Sequence, residues 1–153
     1  MLKSLDAPIM PRPALNKPAM LDPRSGQWLG VVVELLGLES SSAAIYAEMM
    51  QRLPPLAKGI VIAKENGVPA CAMLVTVFNH VGNAFGLTTT PALRRRGLGR
   101  KLMGQGLDWM KNNGASCVGL QVVADNKKAL SLYHSLGFEI AYSYHYRILP
   151  ENT

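Results

Sequence analysis

The sequence predicts an α/β domain in which one mixed, mostly antiparallel central sheet is flanked by helices. Two apolar runs, 59–63 and 69–78, meet near Asn66-Gly67, a dipeptide that offers the positive φ values of a tight antiparallel hairpin. Apolar residues at helical spacing precede this hairpin, and helix and strand patterns alternate after it. With 153 residues, 48% of them hydrophobic, the chain is long enough to bury a core around such a sheet.

The first 25 residues are expected to be a proline-rich arm or linker, and residues 26–153 are expected to form the domain. Five of the ten prolines lie in residues 1–25, and proline can neither continue a helix nor donate to a central strand. No secretory signal is visible at the start, and the longest apolar runs, such as 70–78, are too short to cross a bilayer. We therefore expect a cytoplasmic protein with no membrane partner.

Two helices are predicted after the arm. Apolar residues repeat at helical spacing over 27–36 and stop at Gly37, although the β-branched residues 31–33 would also suit a strand. A serine among residues 40–42 can cap the second helix, which Pro54 and Pro55 end. One side of this second helix carries Ile45, Met49 and Leu53.

The rest of the chain alternates strands and helices. After a turn at 79–83, a third strand is predicted over 84–90, and Pro91 stops it. The next helix carries an apolar stripe and ends at Asn113-Gly114. Residues 117–123 are apolar enough to be a central strand, with Gln121 as a polar exception. The stripe consists of Leu102, Met103, Gly106, Leu107 and Met110.

The C-terminal part is predicted to hold one more helix and two strand segments. Asp125 or Asn126 can cap the helix, and Gly137 is placed to end it. Over 138–149, tyrosines alternate with other polar residues, as in a strand with two different faces.

A basic glycine loop joins the third strand to the following helix and is the main candidate site. A helix start aims unpaired N–H groups and a positive dipole end at one point, and five cationic side chains surround that point. Gly97 and Gly99 are both expected to allow positive φ and to remove Cβ atoms that would hold an anion away. This chemistry suits a polyphosphate, whereas the alternative is a solvated basic turn. The loop consists of Arg94, Arg95, Arg96, Gly97, Leu98, Gly99, Arg100 and Lys101.

The spacing of this loop excludes two common phosphate-binding motifs. No Lys-Ser/Thr pair follows the second glycine, as a Walker loop requires, and Met103 stands where a dinucleotide fingerprint has its third glycine. The net charge of +6 is concentrated here, since five of the sixteen basic residues lie in eight positions. A small polyanion therefore fits better than a nucleic acid, although nucleic-acid binding through this loop is a rival hypothesis.

The cysteines and histidines give no sign of a metal site. Cys71 and Cys117 lie in apolar, strand-like surroundings, without a Cys-x-x-Cys pair or a histidine at ligand spacing. We expect buried free thiols at both positions and no metal.

Three motifs resemble the GCN5-related N-acetyltransferases, the GNAT family, and with the preceding strands the likeness covers roughly residues 27–149. They are Arg94-x-x-Gly97-x-Gly99 three residues after Pro91, then Gln121-Val122-Val123-Ala124-Asp125-Asn126, then Ala129-Leu130-x-Leu132-Tyr133-x-x-x-Gly137-Phe138. More narrowly, residues 28–29, 120–126 and 142–147 look like a bacterial group that often forms the C-terminal half of two-domain members.

This resemblance implies a GNAT-like fold and an N-acetyltransferase that uses acetyl-CoA as cosubstrate. The family's loop wraps the pyrophosphate of acetyl-CoA, which is the role already assigned to residues 94–101. The family's strand before the loop hydrogen-bonds the pantetheine and the acetyl carbonyl, a role that falls on the backbone of Leu87, Thr88 and Thr89. Asn126 matches a position that contacts the cofactor arm, and Tyr133 matches the general acid that protonates the departing thiolate. Without the resemblance, Asn126 is a helix cap and Tyr133 a core aromatic residue.

The resemblance also leaves questions open. Ribosomal-protein N-terminal acetyltransferases of the family carry a glutamate base where this chain has Gln121, so Glu34, His145 or Tyr144 are alternatives, none of them preferred. The acceptor is expected to be a primary amine of a small molecule or a peptide. The family usually begins with a strand, which residues 3–22 could supply, within the chain or across a homodimer. A non-catalytic acyl-CoA-binding or regulatory domain is the alternative function.

Overall fold

The computed structural model describes residues 15–150 and confirms the α/β class. Its contacts divide the chain into two compact units, one up to Leu120 and one from Gln121. A 3₁₀ turn lies at Pro91–Leu93. The helices are α1 (Gly26–Leu36), α2 (Ser40–Gln51), α3 (Leu98–Asn112) and α4 (Lys127–Ser135), and the strands are β1 (Ala19–Leu21), β2 (Leu56–Ala63), β3 (Pro69–Phe78), β4 (Val81–Thr89) and β5 (Cys117–Leu120).

The first unit is built on one sheet in the order β1-β2-β3-β4-β5. Neighbouring strands are antiparallel except for the parallel pair β4 and β5. The sheet is therefore mixed and mostly antiparallel, as predicted.

The second part of the proline-rich segment belongs to this sheet. β1 pairs with β2 through Met20 and Ile60, and Leu15 bridges Lys64. A first strand is thus supplied within the chain, by residues 19–21 of the expected arm or linker. The expected arm over residues 1–14 lies outside the described residues.

The two faces of the sheet are covered by different helices. On one face, Trp28 and Val32 of α1 form a core cluster with Ala72 and Leu74 of β3. On the other face, Gly106 of α3 lies so close to β3 that an added Cβ would meet Met73 Cε at 2.6 Å. Because residues alternate along a strand, β3 contributes to two cores, and it is buried over most of its length.

Both predicted hairpin turns are present, but the second is tighter than expected. Gly67 has φ of 85° in the first turn. In the second, Asn79 and His80 have φ of 48° and 61°, and Phe78 pairs directly with Val81. A two-residue turn with two positive φ values matches the twist of antiparallel strands, so β4 begins at Val81 rather than at residue 84.

The predicted apolar side of α2 is only partly buried. Ile45 and Met49 are 61% and 57% exposed, whereas Met50 is buried. The helix packs beside α1 with Met50 and the half-buried Tyr46, so its hydrophobic pattern marked an exposed apolar strip next to the core.

β5 is shorter and less central than predicted. It ends at Leu120, before Gln121, and it is the last strand of the described sheet. Cys117 is exposed, because it begins this edge strand, so the expectation of two buried thiols holds only for Cys71.

The second unit contains α4 and an extended tail. Residues 138–149 form no strand in the described part of the chain, so the two predicted strand segments are wrong. The rings of Tyr142, Tyr144 and Tyr146 contact each other in sequence, with centroids 6.4 and 5.5 Å apart. The period-2 pattern therefore marks an extended chain, but a strand also needs a hydrogen-bonded partner, and no residue in the described part of the protein pairs with it.

Candidate active site

The C-terminal half of β4 leaves the regular sheet on its β5 side. The parallel pairing runs from Val81 and Cys117 to Ala84 and Leu120 and then stops. Within the described residues, positions 85–89 have no strand partner on that side. Backbone groups that would complete a ladder are thus available to a ligand along this edge.

A bulge interrupts the other side of the same segment. Phe85 pairs with Leu74 and Thr88 pairs with Ala72, so Gly86 and Leu87 together face the single residue Met73. Gly86 has φ of 62°, the left-handed conformation of a bulge that begins with glycine. The extra residue also shifts the alternation, so Phe85 and Thr88 both lie on the face of Ala72 and Leu74.

The glycine of the bulge could have been recognised in the sequence. An isolated glycine inside a strand pattern indicates a bulge or a close backbone approach, and Gly86 lies inside the predicted strand 84–90.

The threonine side chains of β4 are engaged internally. Thr88 Oγ1 donates to the carbonyl of Gly86 at 3.0 Å, and Thr89 Oγ1 donates to Cys71 Sγ at 3.1 Å. Burial raises the pKa of the Cys71 thiol, against a smaller lowering by Thr89, so this sulfur stays protonated at neutral pH. Any ligand contact of Thr88 and Thr89 therefore falls to their backbone.

The basic loop turns sharply between β4 and α3. Two of its residues have positive φ, Arg95 at 62° and Gly97 at 76°. Gly99 lies in the first turn of α3 without positive φ, so the expectation of two left-handed glycines is wrong: the second such position is Arg95. A non-glycine residue in this conformation stores strain of about 1–2 kcal/mol, and nothing in the sequence marked it.

The loop presents an uncapped helix start to solvent. Gly97 is the N-cap of α3, makes no side-chain capping hydrogen bond, and precedes a first turn without acidic residues. Lys101 N–H donates to Gly97 O at 3.0 Å, so the preceding N–H groups of Leu98 and Gly99 point out of the helix end. A Cβ built on Gly97 would meet nothing within 4 Å, which leaves open space in front of these donors.

The cationic side chains of the loop surround this helix start. Arg94 Nε donates to the carbonyl of Thr89 at 3.3 Å, which joins the loop to the end of β4. The whole set is exposed: Arg94, Arg95, Arg96, Arg100 and Lys101. Outward N–H donors, the positive end of a helix and five cations together suit a polyphosphate.

An apolar cavity of about 270 Å³ adjoins the bulge. It lies between α1, α2, β3 and β4, and none of the thirteen lining residues is charged. Trp28 Nε1 donates to the Tyr46 hydroxyl at 3.0 Å, and burial raises the pKa of Tyr46. Sequence patterns could not predict this cavity, because its walls come from four separate elements. The lining includes Trp28, Val32, Tyr46, Met49, Phe85 and Thr88.

The remaining predicted site residues lie in the second unit. Asn126 caps α4, since its Oδ1 accepts from the N–H of Ala129 at 3.1 Å. The Tyr133 ring contacts Phe138 edge-on at 6.0 Å, and burial raises the pKa of the Tyr133 phenol. The phenol is therefore neutral at physiological pH and can donate a proton. The structure thus brings residues 87–89 and 94–101 together in the first unit and places Asn126 and Tyr133 in the second.

The alternative bases are all exposed. Glu34 lies on the outer side of α1, and His145 and Tyr144 lie in the extended tail. A hydrogen bond with Tyr146 and partial desolvation raise the pKa of Tyr144, which makes this phenol a poor base at neutral pH.

Residues 15–150 lack both a metal-binding cluster and a membrane-spanning helix. No three histidine, cysteine, aspartate or glutamate side chains are grouped so as to hold a metal ion. No described helix combines the length and apolar character needed to cross a membrane.

A family model described as "Acetyltransferase (GNAT) family" matches residues 34–138. An uncharacterized N-acetyltransferase, YobR of Bacillus subtilis, is 28% identical over 124 residues, which are 81% of this chain and 50% of YobR. The [ribosomal protein bS18]-alanine N-acetyltransferase of Escherichia coli is 34% identical over 77 residues, which are 50% of this chain and 52% of that protein. The chain thus spans about half the length of these curated relatives.

Solved structures share the fold. Aminoglycoside N-acetyltransferase AAC(6')-Iy in complex with CoA superposes with a TM-score of 0.68 at 17% identity, covering 92% of this chain and 99% of that one. At this identity the likeness concerns the fold alone.

Proposed function

Because the chain belongs to the acetyltransferase (GNAT) family, we propose that it is an acetyl-CoA-dependent N-acetyltransferase that moves the acetyl group directly to a primary amine. The family match covers residues 34–138, which include β4, the basic loop and α4. The acceptor is an amine of a small molecule or a peptide.

The observation that carries this proposal is the uncapped start of α3 inside the basic loop. The N–H groups of Leu98 and Gly99 are directed outward, and the positive φ of Gly97 delivers the chain to this helix start without a side chain in the way. These donors would bind the pyrophosphate of acetyl-CoA, while the surrounding arginines attract and flank it. The backbone is the binding element in this arrangement.

The unpaired edge of β4 supports the second part of the proposal. The backbone of Leu87, Thr88 and Thr89 lies next to the bulge and connects through Thr90 to the loop that would hold the phosphates. Hydrogen bonds from N–H groups at this edge would orient the pantetheine and polarise the thioester carbonyl. Fixed donors of this kind stabilise the negative charge that develops on the carbonyl oxygen as an amine attacks.

Acetyl transfer requires a proton donor for the CoA thiolate and a proton acceptor for the amine, and a residue is proposed only for the donor. Tyr133 would give its proton to the departing CoA thiolate, a role that the family resemblance implies for this position and that a neutral phenol can perform. The amine must lose a proton during attack, and Gln121 cannot accept it. Direct transfer is supported by the placement of both cysteines: Cys71 is buried with a raised pKa, and the exposed Cys117 pairs with Val81, at the opposite end of β4 from residues 87–89.

The binding claim is tested by titrating CoA into Gly97→Ala, with Gly104→Ala as the matched control. Neither added methyl group would meet another atom within 4 Å, but only Gly97 has positive φ. We expect Gly97→Ala to bind CoA about 5- to 30-fold more weakly, because a residue with a Cβ at this left-handed position costs about 1–2 kcal/mol in the loop geometry that would hold the phosphates. Gly104→Ala should bind like the wild type. Equal CoA affinity of both variants would contradict the assignment.

The catalytic claim is tested with Tyr133→Phe. Free CoA thiol is measured during turnover with a panel of primary amines, together with CoA affinity. An enzyme should lose turnover strongly while keeping its CoA affinity. Tight CoA binding without turnover on any amine would favour the alternative, a non-catalytic acyl-CoA-binding or regulatory domain. This alternative is tested because Gln121 stands where related acetyltransferases carry a glutamate base.

We also propose that the chain is related to the bacterial group that often forms the C-terminal half of two-domain members. Its support is limited to residues 28–29, 120–126 and 142–147.

A further inference from the structure

We infer that the cavity between α1, α2 and the bulge of β4 binds an apolar substituent of the acceptor. The acceptor class is then a primary amine that carries a single aliphatic or aromatic group, rather than a polyamine or another polycation. This inference rests on the proposed function and specifies the substrate of the same site.

The position of the cavity relates it to the reacting atoms. Phe85, Gly86 and Thr88 line it, and they belong to the bulge and to the edge that would hold the thioester. The bulge turns both Phe85 and Thr88 toward this side of the sheet. An amine nitrogen at the Gly86 end would therefore meet the carbonyl while its substituent extends toward Trp28 and Tyr46 of the two helices.

The chemistry of the walls excludes a second charge on the acceptor. No lining residue is acidic or basic, and burial of an unpaired ammonium group in such a space is strongly unfavourable. The two side-chain hydroxyls on the walls are neutral and already engaged in one hydrogen bond each: Tyr46 accepts from Trp28 Nε1, and Thr88 donates to the carbonyl of Gly86. What the cavity offers is apolar contact.

The size of the cavity sets the size of the substituent. A dry apolar cavity of roughly 150 Å³ is enough to bind benzene, and this one measures about 270 Å³. A phenylethyl, indolylethyl or hexyl group would fit with its first atoms near the bulge. A multi-ring polycationic sugar would not.

The cavity opens through an apolar rim. Leu36, Met49 and Phe85 are 51%, 57% and 46% exposed, and they come from three different elements around the opening. An apolar group can thus enter from solvent without passing a charged side chain of the lining.

The acetyl donor approaches from another direction. α3, whose start would hold the phosphates, packs on the opposite face of the sheet, against Met73 and Val75. The donor reaches the β4 edge from the α3 side, and the cavity lies on the α1 side. This separation is the reason to assign the cavity to the acceptor rather than to a long acyl chain of the donor.

The first experiment measures kcat/KM for a series of primary alkylamines from methylamine to hexylamine, with phenylethylamine, spermidine and an aminoglycoside alongside. We expect kcat/KM to rise about fourfold per added methylene, which corresponds to about 0.8 kcal/mol per buried methylene. Phenylethylamine should exceed spermidine and the aminoglycoside. A flat series, or a preference for the polycations, would overturn the inference while leaving acetyl transfer established.

The second experiment compares Met49→Glu with Ile45→Glu. The two positions are one turn apart on α2 and similarly exposed, but only Met49 lines the cavity. Met49→Glu should lower kcat/KM for hexylamine at least about tenfold and leave the KM for acetyl-CoA unchanged, whereas Ile45→Glu should change neither. Equal effects of the two substitutions would contradict the inference.

A third measurement does not depend on turnover. The chain has two tryptophans, so Trp109→Phe leaves Trp28 in the cavity wall as the one indole reporter. Hexylamine should change the fluorescence of this variant saturably, and Met49→Glu should weaken the response. Saturable binding without any acetyl transfer would refute the proposed function and keep the cavity assignment. Absence of a response would refute the cavity assignment.

The long-chain donor is the remaining competitor. Hexanoyl-CoA and acetyl-CoA are compared with methylamine as the common acceptor. The inference predicts no gain from the longer acyl chain. A gain in kcat/KM that Met49→Glu abolishes would move the cavity to the donor and overturn the inference.

Discussion

The left-handed conformation of Arg95 predicts that glycine at this position makes the protein more stable. Arg95 has φ of 62°, a conformation that costs a residue with a Cβ about 1–2 kcal/mol of strain and costs glycine almost none. Arg96, its neighbour, has no positive φ. Both side chains are exposed, so the two substitutions remove the same charge and add the same backbone freedom.

The difference between Arg95→Gly and Arg96→Gly therefore isolates the strain. Glycine costs either variant about 0.5–1 kcal/mol in conformational entropy, but only Arg95→Gly recovers the 1–2 kcal/mol. We expect the free energy of unfolding of Arg95→Gly to exceed that of Arg96→Gly by about 1–2 kcal/mol. For a chain of this size, the corresponding difference in Tm is about 2–8 °C.

The assay is urea unfolding of both variants, followed by circular dichroism without CoA. Equal m-values would show that the two variants unfold over the same surface. If Arg95→Gly is no more stable than Arg96→Gly, the loop does not store strain at Arg95, and its geometry in solution differs from the one described.

Three further predictions concern packing, titration and charge. Gly59→Ala should destabilise the protein by about 1–3 kcal/mol, because its Cβ would overlap the Trp28 ring. Its control, Gly30→Ala inside α1, meets nothing within 4 Å and should stabilise the protein by about 0.5–1 kcal/mol. Thermal unfolding measures both variants, and equal Tm values would contradict the packing of α1 on β2. Tyr46→Phe should cost about 1 kcal/mol at pH 7, since it leaves Trp28 Nε1 without its acceptor. Because burial raises the pKa of Tyr46 above 10.0, its neutral form stabilises the folded state below pH 10, and this contribution is lost as the pH rises through the folded pKa. The difference in free energy of unfolding between the wild type and Tyr46→Phe should therefore be smaller above pH 10 than at pH 7. A difference that does not change with pH would contradict this. If the basic loop serves a small polyanion, CoA should displace any DNA bound by the protein, and salt-sensitive DNA binding that CoA leaves intact would favour the nucleic-acid rival.

Local patterns were sufficient for most elements of the first unit. Asn66-Gly67 predicted a hairpin because glycine adopts positive φ without strain. The apolar stripe of α3 predicted which side of this helix is buried. The glycines and charges of the loop at 94–101 predict an anion site, and this stays a prediction.

Features that depend on partners far away in sequence could not be predicted. The tail around Tyr144 has the alternation of a strand, but a strand forms only where another backbone pairs with it, and none of residues 15–150 does so. Likewise, Ile45 and Met49 repeat at helical spacing although both are exposed. Their neighbours on α1 and β4 decide that Met49 borders a cavity and Ile45 does not.

The basic loop contains one positive φ value that the sequence predicted and one that it did not. Gly97 fulfilled its prediction, because it must turn the chain into α3 without a side chain. Gly99 did not, because the helix had already begun, and the second left-handed residue was Arg95, whose type gave no sign of it.

In the proposed function, the backbone at the start of α3 binds the phosphates of acetyl-CoA. A crystal structure of the chain with CoA would test this binding mode. We expect pyrophosphate oxygens at about 2.7–3.2 Å from the N–H nitrogens of Leu98 and Gly99, with the pantetheine along residues 87–89 of β4. CoA bound with its phosphates away from residues 94–101 would contradict it.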